Sequence, residues 1–146
     1  MMESRAQIAV DYYVKSGYNC AQAIVCTYAD LLELDPLICF KAAEAFGTGM
    51  GCRLATCGAI SGAMILVGFK KSTGNMDDDK TNKSKVQTCE LGSKIVKDFY
   101  EMNQTVTCKD LKDPKSGMFH SCLDCIRDVA LLVEKHVFEG TFESCV

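Results

Sequence analysis

A chain of 146 residues is the size of one domain and long enough to bury a core without covalent staples. Its 48% hydrophobic and 24% charged residues are globular composition, which excludes a disordered tail protein. The net charge of −3, with 16 basic residues scattered along the chain, leaves no basic stripe for nucleic acid or an anionic membrane surface.

Helical signals run the length of the chain, and no segment alternates polar and apolar residues for long. The first helix is expected from about Ser4 to Ser16, with Ile8, Tyr12 and Tyr13 turned inward and Gly17 as its stop. The second opens at Asn19-Cys20-Ala21-Gln22, a cap with Gln at the third helical position, and continues to about Leu32. The third begins at Asp35-Pro36, a cap followed by proline at the first helical position, and ends before Gly47. A flexible glycine loop, Gly47 to Cys52, leads to a helix from Thr56-Cys57 to about Lys70. The uncharged stretch from Leu54 to Phe69 is sixteen residues, short of the ~20 a membrane span needs, so it reads as a buried helix.

A polar surface run from Asp77 to Lys85 carries into a helix expected over Asp79 to Asn103, with Val86, Val96 and Phe99 inward. A short turn at Thr107 to Leu111 and a loop from Pro114 to Gly117 precede the last main helix, from Ser121-Cys122 to about His136. The sum is one all-α domain over residues 1–146, a helical bundle of about five main helices plus short turns.

Ten cysteines are the anomaly. Met1 to Gln7 shows no basic segment leading into an apolar run, so no secretory signal is expected. Disulfide scaffolds are also typically shorter than about 80 residues. The cysteines therefore point to a reducing cytoplasm and to thiol or metal chemistry. Four share a setting: Cys20 follows Asn19, Cys57 follows Thr56, Cys108 follows Thr107 and Cys122 follows Ser121, each at a predicted helix start. There a thiol faces unsatisfied N–H groups and the positive end of the helix dipole, both of which favour the reactive thiolate. Cys26, Cys39 and Cys89 lie within apolar helical faces and read as small core residues, and Cys145 as part of a frayed terminus.

Cys122-Leu123-Asp124-Cys125 is a CxxC at a helix start, an arrangement used in thiol–disulfide exchange. Ile126 follows it in place of histidine, which excludes c-type haem attachment. Gly58 and Gly62, with Ala59 and Ala63, form a small-residue face suited to close helix packing. Gly47, Gly49 and Gly51 lack the Gly-Lys-Ser/Thr of a phosphate loop. His120, next but one to Cys122, stands where it could modulate that thiol, though an exposed loop histidine is the more common case.

The elements Asn19-Cys20-Ala21-Gln22, Gly51-Cys52, Cys57-Gly58-Ala59-Ile60-Ser61-Gly62-Ala63, Cys108-Lys109-Asp110-Leu111 and Cys122 together resemble the C_GCAxxG_C_C redox-active family, from Asn19 to about Val133. That family is related to the split-Soret cytochrome c, an α-helical dimer carrying haem near its interface. The resemblance implies redox activity on Cys20, Cys57, Cys108 and either Cys122 or Cys125, with Cys52 as an additional member, and a homodimer. Cytochrome function does not follow, since the chain has no CxxCH.

The expected function is thiol–disulfide redox chemistry by converging thiolates Cys20, Cys57, Cys108 and Cys122, with Cys125 or Cys52 resolving a mixed disulfide and an unidentified redox partner. Gly51, Gly58 and Gly62 would line the site. The alternative is an iron–sulfur cluster held by Cys20, Cys57, Cys108 and Cys122 in an electron-transfer protein. A third reading is a structural or regulatory helical module whose cysteines merely pack.

Overall fold

The computed structural model describes residues 1–77, 83–116 and 120–143. The expected start of the long helix at Asp79, the end of the loop at Gly117 and the terminal Cys145 lie outside them. The elements are α1 (Ala6–Ser16), α2 (Cys20–Tyr28, continued by a 3-10 turn Ala29–Leu32), α3 (Pro36–Ala43), a short turn α4 (Gly47–Met50), α5 (Gly58–Lys71), α6 (Lys83–Asn103), a short α7 (Cys108–Leu111) and α8 (Cys122–His136). The fold is all-α, and among the described residues there are only two isolated β-bridges, Met2 with Phe142 and Thr56 with Thr107. None of the described helices is long and apolar enough to cross a membrane.

The local punctuation forms as the residues dictate. Asn19 and Gln22 close a reciprocal capping box on α2. Asp35 caps α3 ahead of Pro36, and Ser121 accepts the Asp124 amide to start α8. Gly17 ends α1 in the left-handed region at φ 74°. The core is built where α2 lies along α5, with α8 against α1 and α6 against α5 and α8. Its largest fully buried side chains include Tyr28, Ile24, Ile60, Phe99 and Ile126. The Tyr28 hydroxyl donates to buried Glu134 at 2.5 Å, and the Glu134 carboxylate also accepts the Arg5 amide at 2.9 Å, pinning α1, α2 and α8 together.

Three inward assignments are corrected. Ile8 is 47% exposed because α1 buries the stripe of Ala6, Ala9 and Val10 instead. Val86 and Cys89 are exposed because the buried stripe of α6 runs through Leu91, Ile95 and Phe99, placing both on its opposite side. Cys39 is a buried core residue as expected, and Cys26 is half-buried.

Candidate functional site

Two loops meet ahead of α5 and α7 and set the site. Thr56 and Thr107 pair in an antiparallel bridge, with Cys57 N–H donating to Val106 at 2.7 Å and Cys108 N–H donating to Ala55 at 2.9 Å. This pairing moves the start of α5 one residue later than the sequence suggests. Cys57, not Thr56, is the N-cap, and Gly58 is the first helical residue. Thr107 flanks α7 without capping it through its side chain.

The result is a pocket of about 10 Å³, room for about one water, lined by Cys20, Cys57, Cys108, Cys122 and Cys125 together with Gly58, Leu111 and Lys112. Five thiols, the outermost 105 positions apart in sequence, thus share one wall. The convergence depends on glycine. A Cβ at Gly58 would stand 2.4 Å from the Cys20 sulfur and 2.7 Å from the Phe46 carbonyl. Gly49, at φ 57°, allows the turn α4 to pass Cys108, whose Cβ would otherwise lie 2.6 Å from a side chain there.

The thiols differ sharply. No amide closes a full hydrogen bond on Cys57, yet its pKa falls to about 7. The Cys125 thiol donating to it is the largest cause, and it outweighs burial; the Ala59 and Ile60 N–H groups and the Lys112 charge add to it. Cys125 is displaced upward in turn, by that same hydrogen bond and by burial. Cys20, expected to be activated at its helix start, is instead pushed up to about 11 by burial, which outweighs the Thr48 amide donated to its sulfur. Asn19 already takes the Gln22 amide at 2.9 Å, so this helix end offers Cys20 little.

Lys112 was missed in the sequence, as was the polar role of Tyr13. Burial works against the Lys112 charge, but hydrogen bonds to Cys122 and Cys108 and their proximity hold its pKa above the ordinary value. The Tyr13 hydroxyl contacts Cys122, and this contact, with burial, raises the tyrosine pKa. The available signal for Lys112 was its position one helical turn after Cys108.

Other expectations are corrected. Cys52 is exposed beside the pocket's loop, its thiol directed to the Gly49 carbonyl at 3.7 Å, and does not line the pocket. Gly51 is likewise exposed with open space around it. Gly62 lies against α2, where a Cβ would stand 2.7 Å from the Ala21 carbonyl. Only Gly58 of the three glycines lines the site. His120 is not among the lining residues; its backbone N–H donates to the Leu111 carbonyl at 2.7 Å.

Among the described residues no group of three or more His, Cys, Asp or Glu is disposed to hold a metal ion.

Neither the curated proteins nor the solved structures contain a match to this chain. A family model does match, over residues 18–136, and it spans all five pocket cysteines. Its description is "Putative redox-active protein (C_GCAxxG_C_C)". The chain belongs to this C_GCAxxG_C_C redox-active family.

Proposed function

We propose that the protein is a dithiol redox module in which Cys57 and Cys125 cycle between two thiols and a disulfide. The observation that supports this best is that Cys57 and Cys125 line the same pocket of about 10 Å³, with Cys125 the neighbour that most favours the Cys57 thiolate. Cys57 is the nucleophile. Its sulfur attacks the oxidant and keeps one half of the oxidant's cleaved bond while the other half leaves with the electron pair; the Cys125 sulfur then displaces the half held on Cys57, giving up its proton as the Cys57–Cys125 bond forms. Two electrons leave the protein with two protons. The raised pKa of Cys125 falls once Cys57 is no longer an anion, because the hydrogen bond to that anion is the main cause of the rise. The resolving thiol is thus held back until it is needed.

Cys122 is the half-buried member among buried thiols and sits one helical turn from Cys125. It is the point of entry for reducing equivalents: its sulfur attacks Cys125, shifts the disulfide to Cys122–Cys125 and frees Cys57, and a partner dithiol then reduces the exchanged bond. Lys112 and Tyr13 hold Cys122 for this step. Residence in a reducing compartment such as the cytoplasm, and assembly as a homodimer, belong to the same reading. The small-residue face of α5 gives the dimer no support, because α2 occupies it.

Peptide mapping after stepwise oxidation tests the proposal. The first disulfide formed is expected to join Cys57 and Cys125; a first bond that leaves out Cys57 would overturn it. A second reading, a cluster on Cys20, Cys57, Cys108 and Cys122, draws on their shared pocket. Brown protein with stoichiometric iron and sulfide after anaerobic purification would replace the first reading with this one.

A further inference from the structure

The nucleophile is enclosed. Cys57 is 5% exposed, Cys125 3%, Cys108 3% and Cys20 6%, and the space they share is about 10 Å³. A peptide or glutathione disulfide must bring its sulfur, with both flanking chains, into line with the attacking sulfur, and no such approach is open to Cys57. The half-buried members of the lining, Lys112 and Cys122, mark the pocket's open side. Whatever oxidises Cys57 directly is therefore small, enters past an ammonium group, and leaves behind something an ammonium can stabilise.

We propose that the oxidant is hydrogen peroxide, admitted between Lys112 and Cys122 to the enclosed sulfur of Cys57. This names the substrate of the dithiol site and rests on the Cys57–Cys125 reading above. The Cys57 thiolate attacks one peroxide oxygen along the O–O axis. The O–O bond breaks, Cys57 becomes a sulfenic acid, and the departing hydroxide takes a proton to leave as water. The Cys125 sulfur then attacks the sulfenic sulfur, the S–O bond breaks, and the Cys125 proton leaves with the hydroxyl as a second water. One peroxide and one dithiol give one disulfide and two waters.

The geometry assigns parts to the neighbours. Lys112 faces Cys108 and Cys122 and lends positive charge where hydroxide departs. Leu111 and Gly58 complete the wall, and Gly58 keeps Cys20 close without a side chain of its own. A larger hydroperoxide carries its alkyl group into the same narrow mouth and is excluded by bulk.

The test uses the full chain, reduced and kept anaerobic, mixed with hydrogen peroxide, cumene hydroperoxide or glutathione disulfide in separate arms, with disulfides mapped by mass spectrometry. Hydrogen peroxide is expected to form the Cys57–Cys125 disulfide at least about tenfold faster than either bulky oxidant, the usual scale of steric discrimination in a tight pocket. In Cys125→Ser treated with hydrogen peroxide, transfer into denaturant containing dimedone is expected to label the sulfenic acid on Cys57. Equal rates in the three arms, or a sulfenic acid first on Cys122, would overturn the peroxide assignment while leaving the dithiol reading intact. If the Cys57–Cys125 disulfide forms in none of the three arms in the wild-type chain, both readings fall together.

Discussion

Cys20 and Cys57 stand at the starts of the two helices that pack most extensively on each other, and they line the same pocket. Their thiols nonetheless move in opposite directions, Cys20 up to about 11 and Cys57 down to about 7. Both are almost fully buried, so desolvation alone does not separate them. The partners do. Cys20 is the first residue inside its helix, behind an Asn19 cap that has already taken an orphan amide. Cys57 is itself the cap, with Ala59 and Ile60 amides toward its sulfur and a thiol donor, Cys125, on its other side. The Cys125 donor is the larger of these differences, and one residue of helix register adds to it.

The largest expected effect breaks this comparison directly. At pH 7 a thiol of pKa about 7 is half ionised and one of about 11 is ionised about once in ten thousand. Cys57→Ser should therefore remove the pocket's thiolate ultraviolet absorbance that appears near neutrality, while Cys20→Ser leaves it largely unchanged. Absorbance followed across pH reads both without a reagent having to enter the pocket. A thiolate step near pH 7 surviving in Cys57→Ser would remove the contrast between the two cysteines.

How much of this was visible beforehand depends on range. The caps at Asn19, Asp35 and Ser121 are interactions within three residues, and they form as the sequence suggests. The cap at Cys57 was misplaced by one because Thr56 is drawn into a bridge with Thr107, fifty-one positions away. Cys52 looked like a site residue through its nearness in sequence to Cys57, yet the turn before it faces the thiol outward. Lys112 and Tyr13 carry no motif; only the packing of α7 and α1 near α8 brings them to Cys122. The convergence of five thiols was legible as a family pattern, and their individual chemistry was not.

Cys57, Cys20 and Cys125 together set a stability profile. Cys57 has a folded pKa depressed from an ordinary 9 to about 7, so its contribution is fully present above about pH 9 and is lost as pH falls through about 7. The size is about 2–3 kcal/mol between those limits. Cys20 and Cys125 are raised, so they hold protons that the unfolded chain releases above about pH 9, and stability falls again on that side. Urea midpoints measured under reducing conditions should rise from pH 7 to 9 and then decline. In Cys57→Ser the rise should flatten and the decline should shrink to the part that Cys20 contributes. A profile unchanged by that substitution would mean Cys57 is not the group responsible.

The smallest effect is also the sharpest test of register. Asn19→Cys puts a thiol at the cap of α2, the place Cys57 holds on α5. The substitution loses the side-chain acceptor for the Gln22 amide and the donor to the Glu44 carbonyl, at a cost of about 1–2 kcal/mol. In exchange, the freed amides of the first turn face the new sulfur, and Asn19 is less enclosed than Cys20, so desolvation opposes ionisation less. The new thiol lacks a donor equivalent to Cys125, the largest contributor at Cys57, so its pKa should settle between those of Cys57 and Cys20. Alkylation across pH, read by peptide mapping, should place residue 19 ahead of Cys20 by about tenfold at pH 8. Equal reactivity of the two neighbours would show that helix register contributes little, and that Cys57 owes its low pKa to Cys125 alone.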